Sequence, residues 1–240
     1  MLAASPWYDL VLLAAAVAGM PVMSVFAGRQ LDRRAPGSLV PRYLFTIARG
    51  VLAAGAVLAV WVFAHRSFAA LGLDIPINPR GQLGFIAVGL AVLFAVVQSV
   101  QIAKLAPDKF DKAEATIRQI KIMPRSKAEF AMFVAVAVNA GIWEELLYRG
   151  FLLWYLAPFG GMAVAVAISA VVFGLGHAYQ GAGGIVKTGL VGLLFGIGFA
   201  LTRSLWWLMA LHAVIDIAGG MVAFRLARMA ARSPRQQAVG

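Results

Sequence analysis

The chain has 240 residues, of which 62% are hydrophobic and 13% are charged, and its mean hydropathy is +0.84. This composition excludes a water-soluble globule with a polar surface and predicts a membrane protein. The absence of cysteine excludes disulfides and cysteine nucleophiles, and the net charge of +11 lies in short segments between apolar runs, which argues against nucleic acid as a partner.

Seven apolar runs are long enough to cross a bilayer, for which a helix needs about 20 residues. They lie at residues 7–27, 43–64, 82–103, 127–157, 160–178, 185–202 and 205–226. The first run contains Asp9 and has no basic residues before it, so we interpret it as an anchor and not as a removable signal peptide. Without internal repeats or a low-complexity linker, we expect one all-α domain over residues 1–240, a polytopic transmembrane helical bundle.

Basic residues are concentrated in alternate connections between these runs. Most of the 21 lysines and arginines lie in the loops 28–42 and 104–127, at Lys187 and in the tail after residue 224. The positive-inside rule then predicts an outside N-terminus and a cytosolic C-terminus, in what we expect to be a bacterial cytoplasmic membrane. Loop 104–127 is expected either to form a short helix on the cytosolic leaflet or to be a solvated connector.

The fourth run carries ionisable residues in the stretch "GIWEELLYRG". Glu145 and Arg149 are four residues apart, the spacing of an ion pair on one helix face. Glu144 points about 100° around the helix, so it is free to address another neighbour. Both glutamates could simply hold helices together, but ionisable groups at membrane depth are costly and typical of functional interiors.

Two later runs carry histidines with a partner four residues away. "FGLGHAYQG" places Phe173 on the same face as His177, where the aromatic ring shelters the imidazole. "LHAVIDIAGG" places His212 and Asp216 at a spacing that allows a hydrogen bond between imidazole and carboxylate. Taken singly, each pattern is also compatible with an interfacial or packing role.

The depths of these residues test whether they can meet. At 1.5 Å per residue, Glu144 and His177 both lie roughly 20–24 Å from the outer ends of their helices. His212 lies only about 12 Å below the outer end of its own helix, so we expect that helix to start deeper or to tilt.

Together, "EELLYR", "FGLGH" and "HAVID" match the pattern EExxxR, FxxxH and HxxxN or HxxxD. In this the chain resembles the CAAX prenyl protease and bacteriocin-processing (CPBP, Abi) family of intramembrane endopeptidases. The resemblance covers about residues 127–227, the expected catalytic core, whereas residues 1–126 match only in being hydrophobic spans and a cytosolic loop. It implies cleavage of a peptide or protein substrate within the membrane; eukaryotic relatives remove the last three residues of prenylated proteins.

The resemblance also implies residue roles. Glu144 would be the general base that, with His177, activates a water molecule, while Glu145 and Arg149 would orient the site. His212 and Asp216 would occupy the oxyanion-stabilising positions. Many relatives have asparagine where this chain has Asp216, and an ionised carboxylate cannot donate to an oxyanion, so we hypothesise that Asp216 accepts a hydrogen bond from His212.

Several alternatives stay open at this stage. We expect metal-free catalysis without a cofactor, although Glu144, His177 and His212 are a plausible zinc set by ligand type. A proton-coupled transporter could use the same residues, and a catalytically silent immunity or scaffold protein could use the basic loops. The "QGAGG" turn after His177 favours access to the site from the membrane and from the cytosolic side.

Overall fold

The computed structural model describes residues 6–33, 37–102 and 122–230, together with residues 104, 110 and 115. All regular structure in these described residues is helical, as predicted. Most of the expected surface segment 104–127, and the terminal arginines after residue 230, lie outside them.

The first three spans are built from four α-helices. Helices α1 (Trp7–Ala14) and α2 (Met20–Arg33) are joined by a π-helical turn, Ala15–Gly19, into one continuous rod. Helix α3 (Val40–Phe63) and helix α4 (Pro79–Ile102) follow, with a 3₁₀ turn, Phe68–Leu71, between them. Helix α4 exposes apolar side chains that are suited to contact with lipid: Leu83, Ile86, Leu90 and Phe94, between 62% and 65% exposed.

A serine N-cap starts helix α5 (Lys127–Glu144). The Ser126 hydroxyl accepts a hydrogen bond from the Glu129 backbone N–H, and the Glu129 carboxylate accepts in turn from Arg125 N–H and Leu39 N–H. The same carboxylate therefore starts α5 and ties its beginning to the beginning of α3.

Helix α5 continues through a π-helical segment, Glu145–Leu152, into α6 (Leu153–Leu175). The resulting run of 49 residues is one of six helical stretches long and apolar enough to cross a membrane. It is interrupted at Gly161, whose φ of 79° and ψ of 168° lie in a region open essentially to glycine alone. The fourth and fifth predicted spans are thus present, on either side of this kink.

Helices α7 (Gly181–Thr202) and α8 (Trp206–Ala230) complete the bundle after a short 3₁₀ turn, Ala178–Gln180. The main packing partners are α6 with α7, α5 with α8, α4 with α8 and α3 with α5. The π-helical segment lies at the centre, because all eight of its residues are buried. The bundle therefore surrounds the segment that carries Glu145 and Arg149.

Candidate active site

The two adjacent glutamates lie at the junction between α5 and the π-helical segment. Glu144 is the last residue of α5 and Glu145 the first of the wider turns, and they are 8% and 0% exposed. π-helical turns are rare in proteins, but those that occur are often found at functional sites. The wider turn changes the directions of neighbouring side chains. At this junction, the side chains of Glu144 and Glu145 have different surroundings although they are neighbours in sequence.

Glu144 faces the histidines of the other two motifs, His177 and His212, which the neighbouring helices carry. Its Oε2 lies 3.9 Å from Nε2 of His177 and 3.8 Å from Nε2 of His212, and it makes no hydrogen bond within the described part of the chain. These distances are too long for direct hydrogen bonds. A single water molecule can bridge polar groups at such a separation. The structure thus brings the three motifs together, as the sequence predicts.

Close backbone packing explains how His212 reaches the depth of Glu144. Gly141 lies one turn before Glu144, and a Cβ added there would be 2.6 Å from the Met209 carbonyl oxygen. Helix α8 can therefore approach the backbone of α5, one turn before His212 itself. The short distance from the start of α8 to His212 does not prevent the contact.

Glu145 is the centre of a buried polar network. Its Oε1 accepts a hydrogen bond from Arg149 Nη1 at 2.9 Å, the ion pair expected from the spacing. The same oxygen lies 2.8 Å from Nδ1 of His212, which donates because a carboxylate only accepts. Arg149 also donates to the Gly192 carbonyl at 3.3 Å, and its guanidinium lies 4.2 Å from the centre of the Phe173 ring.

The hydrogen bond hypothesised between His212 and Asp216 is not formed. Nε2 of His212 lies 3.7 Å from Asp216 Oδ2, and the Asp216 side chain is 39% exposed. The ring nitrogen that could be anchored, Nδ1, is already bound to Glu145. The acceptor that orients His212 is therefore Glu145, a tertiary contact across 67 residues, and not the carboxylate one turn away on the same helix.

His177 is held by its own helix. Its Nδ1 donates to the Phe173 carbonyl at 2.9 Å, and the two rings are 4.7 Å apart between centroids. With Nδ1 donating, the Nε2 of the neutral ring is an acceptor directed toward Glu144. Phe173 also meets the Tyr148 ring edge-on, so it shelters the imidazole as the sequence predicts.

A cavity of about 790 Å³ opens onto these side chains. Its lining includes Glu144, His177, His212 and Asp216 at one end, and residues from the beginning of α3 and from the segment before α5 at the other. The cavity therefore runs along the bundle from the ends of α3 and α5 that carry basic residues to the glutamate–histidine cluster.

The sequence did not identify several residues of the cavity wall. Ser24 of α2 accepts a hydrogen bond from the Tyr179 backbone N–H at 3.0 Å, so the first span covers the turn that follows His177. Arg49 of α3 lies 5.5 Å from the Trp143 ring and lines the same cavity. Arg49 carried a detectable signal, since it is a basic residue inside an apolar span, but Ser24 and Tyr179 did not.

The arrangement of these side chains also bears on metal binding. Among the residues that the structure describes, no three His, Asp or Glu side chains are arranged to hold a metal ion. Glu144, His177 and His212 form a cluster of suitable ligand types, but they do not fit as a ligand set in the arrangement present.

Residues 126–218 match the sequence model of the family described as type II CAAX prenyl endopeptidase Rce1-like. This segment, which is less than half of the chain, is similar to that family. No curated protein and no solved structure matches the chain. The Rce1-like segment includes all three motifs and every side chain of the glutamate–histidine cluster. The six helical stretches that are long and apolar enough to cross a membrane fit an integral membrane protein.

Proposed function

We propose that this protein is an intramembrane endopeptidase in which Glu144 and His177 activate a water molecule for attack on a peptide carbonyl. The single observation that carries the proposal is the approach of both imidazole Nε2 atoms to the same free oxygen of Glu144, at 3.8 and 3.9 Å. A water molecule with hydrogen bonds of about 2.8 Å to both Glu144 and His177 fits such a separation.

The hydrogen-bond polarity orients that water molecule. One hydrogen is directed to the Glu144 carboxylate and the other to Nε2 of His177, which is an acceptor because Nδ1 donates to Phe173. A lone pair of the water oxygen is then left for the carbonyl carbon. Glu144 takes one proton as the C–O bond forms, and it returns that proton to the leaving nitrogen as the C–N bond breaks.

His212 would stabilise the oxyanion of the tetrahedral intermediate. Glu145 fixes the ring through Nδ1, so the protonated ring directs Nε2–H into the site. Arg149, paired with Glu145 and packed on Phe173, orients this assembly without reaching the substrate. In this proposal Asp216 contributes negative charge at the cavity wall. Glu145, and not Asp216, orients the His212 ring.

Substitution of Glu144 by glutamine tests the proposal. We expect cleavage to fall by about 10²–10⁴-fold, because glutamine cannot take a proton from water, while folding is retained. Comparing the membrane proteomes of cells with the wild type and with Glu144→Gln should reveal uncleaved termini that accumulate only in the variant. Unchanged termini, or a loss of proton flux in place of cleavage, would favour the silent-scaffold or transporter alternative.

We further propose that the reaction proceeds without a metal ion. The expected result is that purified protein contains no stoichiometric zinc and that prolonged chelation leaves cleavage unchanged. Metal analysis by mass spectrometry is the direct measurement. Tightly bound zinc, with activity lost on its removal and restored on its return, would assign Glu144, His177 and His212 as ligands after all.

We also propose that substrate enters from the cytosolic side, with the N-terminus outside. Arg42 lines the cavity near the beginning of α3, and Arg125 and Lys127 lie at the neighbouring beginning of α5. The positive-inside rule assigns this end of the two helices to the cytosol.

A further inference from the structure

Tyr148 is a buried phenol that the proposed mechanism does not yet use. Only 2% of the residue is exposed, yet it lines the cavity together with Glu144. Its backbone carbonyl accepts a hydrogen bond from Ser169 and its ring contacts Phe173, but its Oη has no hydrogen-bond partner among the residues that the structure describes. An unpaired buried hydroxyl is costly. The O–H of Tyr148 is therefore available to a molecule bound in the cavity.

The place of Tyr148 along the chain brings its ring back toward Glu144. Tyr148 follows Glu144 by four residues in one continuous helical run, so the two side chains lie on nearly the same face. Side chains on a helix lean toward its beginning, so the phenol covers the turn that carries Glu144. Both side chains accordingly line the same end of the cavity.

Contacts with α6 give the position of the phenol more closely. The Tyr148 ring meets the Phe173 ring edge-on, with centroids 5.1 Å apart. The same Phe173 ring lies 4.7 Å from the His177 ring and 6.3 Å from the His212 ring. A Cβ built on Gly176 would lie 3.2 Å from Tyr148 Oη, and Gly176 directly precedes His177. The phenol oxygen thus lies beside the segment that carries the water-binding histidine.

Hydrogen-bond donors are scarce among the described side chains around Glu144. The carboxylates of Glu144 and Asp216 accept only, when ionised. Nε2 of His177 is an acceptor, because its Nδ1 already donates within α6. His212 offers one donor through Nε2–H, and Tyr148 offers another through its unpartnered O–H. An oxyanion is stabilised by donors that are aimed at it before the reaction begins.

We propose that the Tyr148 O–H donates a hydrogen bond to the oxyanion of the tetrahedral intermediate, as a catalytic residue alongside His212. When the water oxygen bonds to the peptide carbon, the electron pair of the C=O π bond moves to the carbonyl oxygen. Tyr148 stabilises that charge and keeps its own proton. Because the charge develops in the transition state, the hydrogen bond acts on kcat more than on substrate binding. This inference rests on the proposed peptidase function and adds a residue to it.

Tyr148→Phe tests the inference, because it removes one oxygen atom and retains the ring that packs on Phe173. The probe is a fluorescence-quenched peptide that spans the terminus accumulating in cells with Glu144→Gln. We expect kcat to fall by about 10²-fold and KM to change by less than about twofold, as for the loss of one oxyanion donor. The melting temperature should be unchanged, since Tyr148 Oη has no partner within the described residues.

A second probe tests where on the substrate the phenol acts. It is the same peptide with sulfur in place of the scissile carbonyl oxygen. Sulfur is a weak hydrogen-bond acceptor, so Tyr148→Phe should slow cleavage of this thioamide by less than about tenfold. A loss of the same size with both peptides would place the phenol away from the oxyanion and overturn the inference.

Two other tyrosines separate this role from a general effect of phenol groups. Tyr155→Phe is the matched control, because Tyr155 lies on the same helical run but outside the cavity lining, and it should retain full activity. Tyr179 is the alternative donor, since it also lines the cavity, although its Oη accepts a hydrogen bond from Gln180 at 3.0 Å. A larger loss of kcat in Tyr179→Phe than in Tyr148→Phe would assign the donor to Tyr179 and overturn the inference.

Two further results would also contradict it. These are an unchanged kcat in Tyr148→Phe, and a rise in KM alone, which would make the phenol a contact for substrate binding. Cleavage that requires Glu144 but not the Tyr148 hydroxyl refutes this inference and leaves the peptidase function intact. The absence of any cleavage that depends on Glu144 refutes the peptidase function itself, so the two failures are distinguishable.

Discussion

Glu144 and Glu145 have the same side chain and opposite surroundings. Glu144 Oε2 makes no hydrogen bond with the residues that the structure describes, and it faces Nε2 of His177 and Nε2 of His212. Glu145 Oε1, in contrast, is fully buried and is shared by Arg149 and His212. The first arrangement leaves a carboxylate able to accept a proton. The second arrangement uses the Glu145 carboxylate to compensate the buried charge of Arg149 and to orient the His212 ring.

Glu145→Gln should therefore damage both stability and catalysis. Glutamine leaves the Arg149 charge buried without compensation, and we expect a loss of about 3–5 kcal/mol in the free energy of unfolding. The loss of the anchor for His212 should lower kcat/KM by roughly a hundredfold, comparable with removal of an oxyanion donor. Urea unfolding in detergent and peptide cleavage provide the two measurements.

Asp216→Asn is the matched control, because it neutralises a carboxylate that is 3.7 Å from the same ring but 39% exposed. We expect less than about 1 kcal/mol of destabilisation and an unchanged pH profile of cleavage. If Asp216→Asn alters the pH profile while Glu145→Gln does not, the positioning role returns to Asp216.

At the scale of the helices, glycines set the distances at which functional side chains meet. Gly141 admits the α8 backbone next to Glu144, and Gly50 admits Asn139 and Trp143 next to Arg49. A Cβ on Gly50 would lie 2.0 Å from Asn139 Oδ1 and 2.5 Å from the Trp143 ring. The contact between α3 and α5 is therefore too close for any larger residue without displacement.

Gly50→Ala should destabilise the bundle by about 1–3 kcal/mol, because the rigid Trp143 ring and the α3 backbone must separate. Gly55→Ala is the control on the same helix, since an added Cβ at Gly55 meets nothing within 4 Å. There, the higher helix propensity of alanine should leave the stability unchanged or raise it slightly. Thermal unfolding of both variants compares them, and equal effects would contradict the packing argument.

The helices themselves were largely predictable. A spanning helix satisfies its own backbone hydrogen bonds in lipid, so the apolar runs located every span of the described residues to within a few positions. The π-helical segment and the continuity of α5 with α6 were not predictable, because neither changes the hydropathy of the run. The kink at Gly161 depends on a glycine-specific backbone conformation, and a glycine in sequence alone does not reveal it.

At the scale of the whole molecule, the site is built from both halves of the chain. The Rce1-like segment supplies the glutamates and histidines, and α2 and α3, which precede it, supply a wall of the cavity through residues such as Ser24 and Arg49. The N-terminal spans thus contribute to the site as well as anchoring the chain.

Membrane orientation can be measured in this cysteine-free background. Ser38 and Ser67 flank α3 and are both exposed, so single cysteines there report the two ends of one span. A membrane-impermeant maleimide should label Ser67→Cys in intact cells and Ser38→Cys only after permeabilisation, because the basic end of α3 is expected in the cytosol. The reverse labelling pattern would invert the topology and place the cavity opening outside.

By itself, the amino-acid sequence determined the membrane environment, the positions of the spans, the three motifs and the Glu145–Arg149 pair. These are properties of composition and of residues within one or two helical turns. Only the tertiary structure decided which acid orients His212, which glutamate stays free, and which cation faces the cavity. Those choices depend on how closely separate helices approach, and side-chain packing across tens of residues sets that distance.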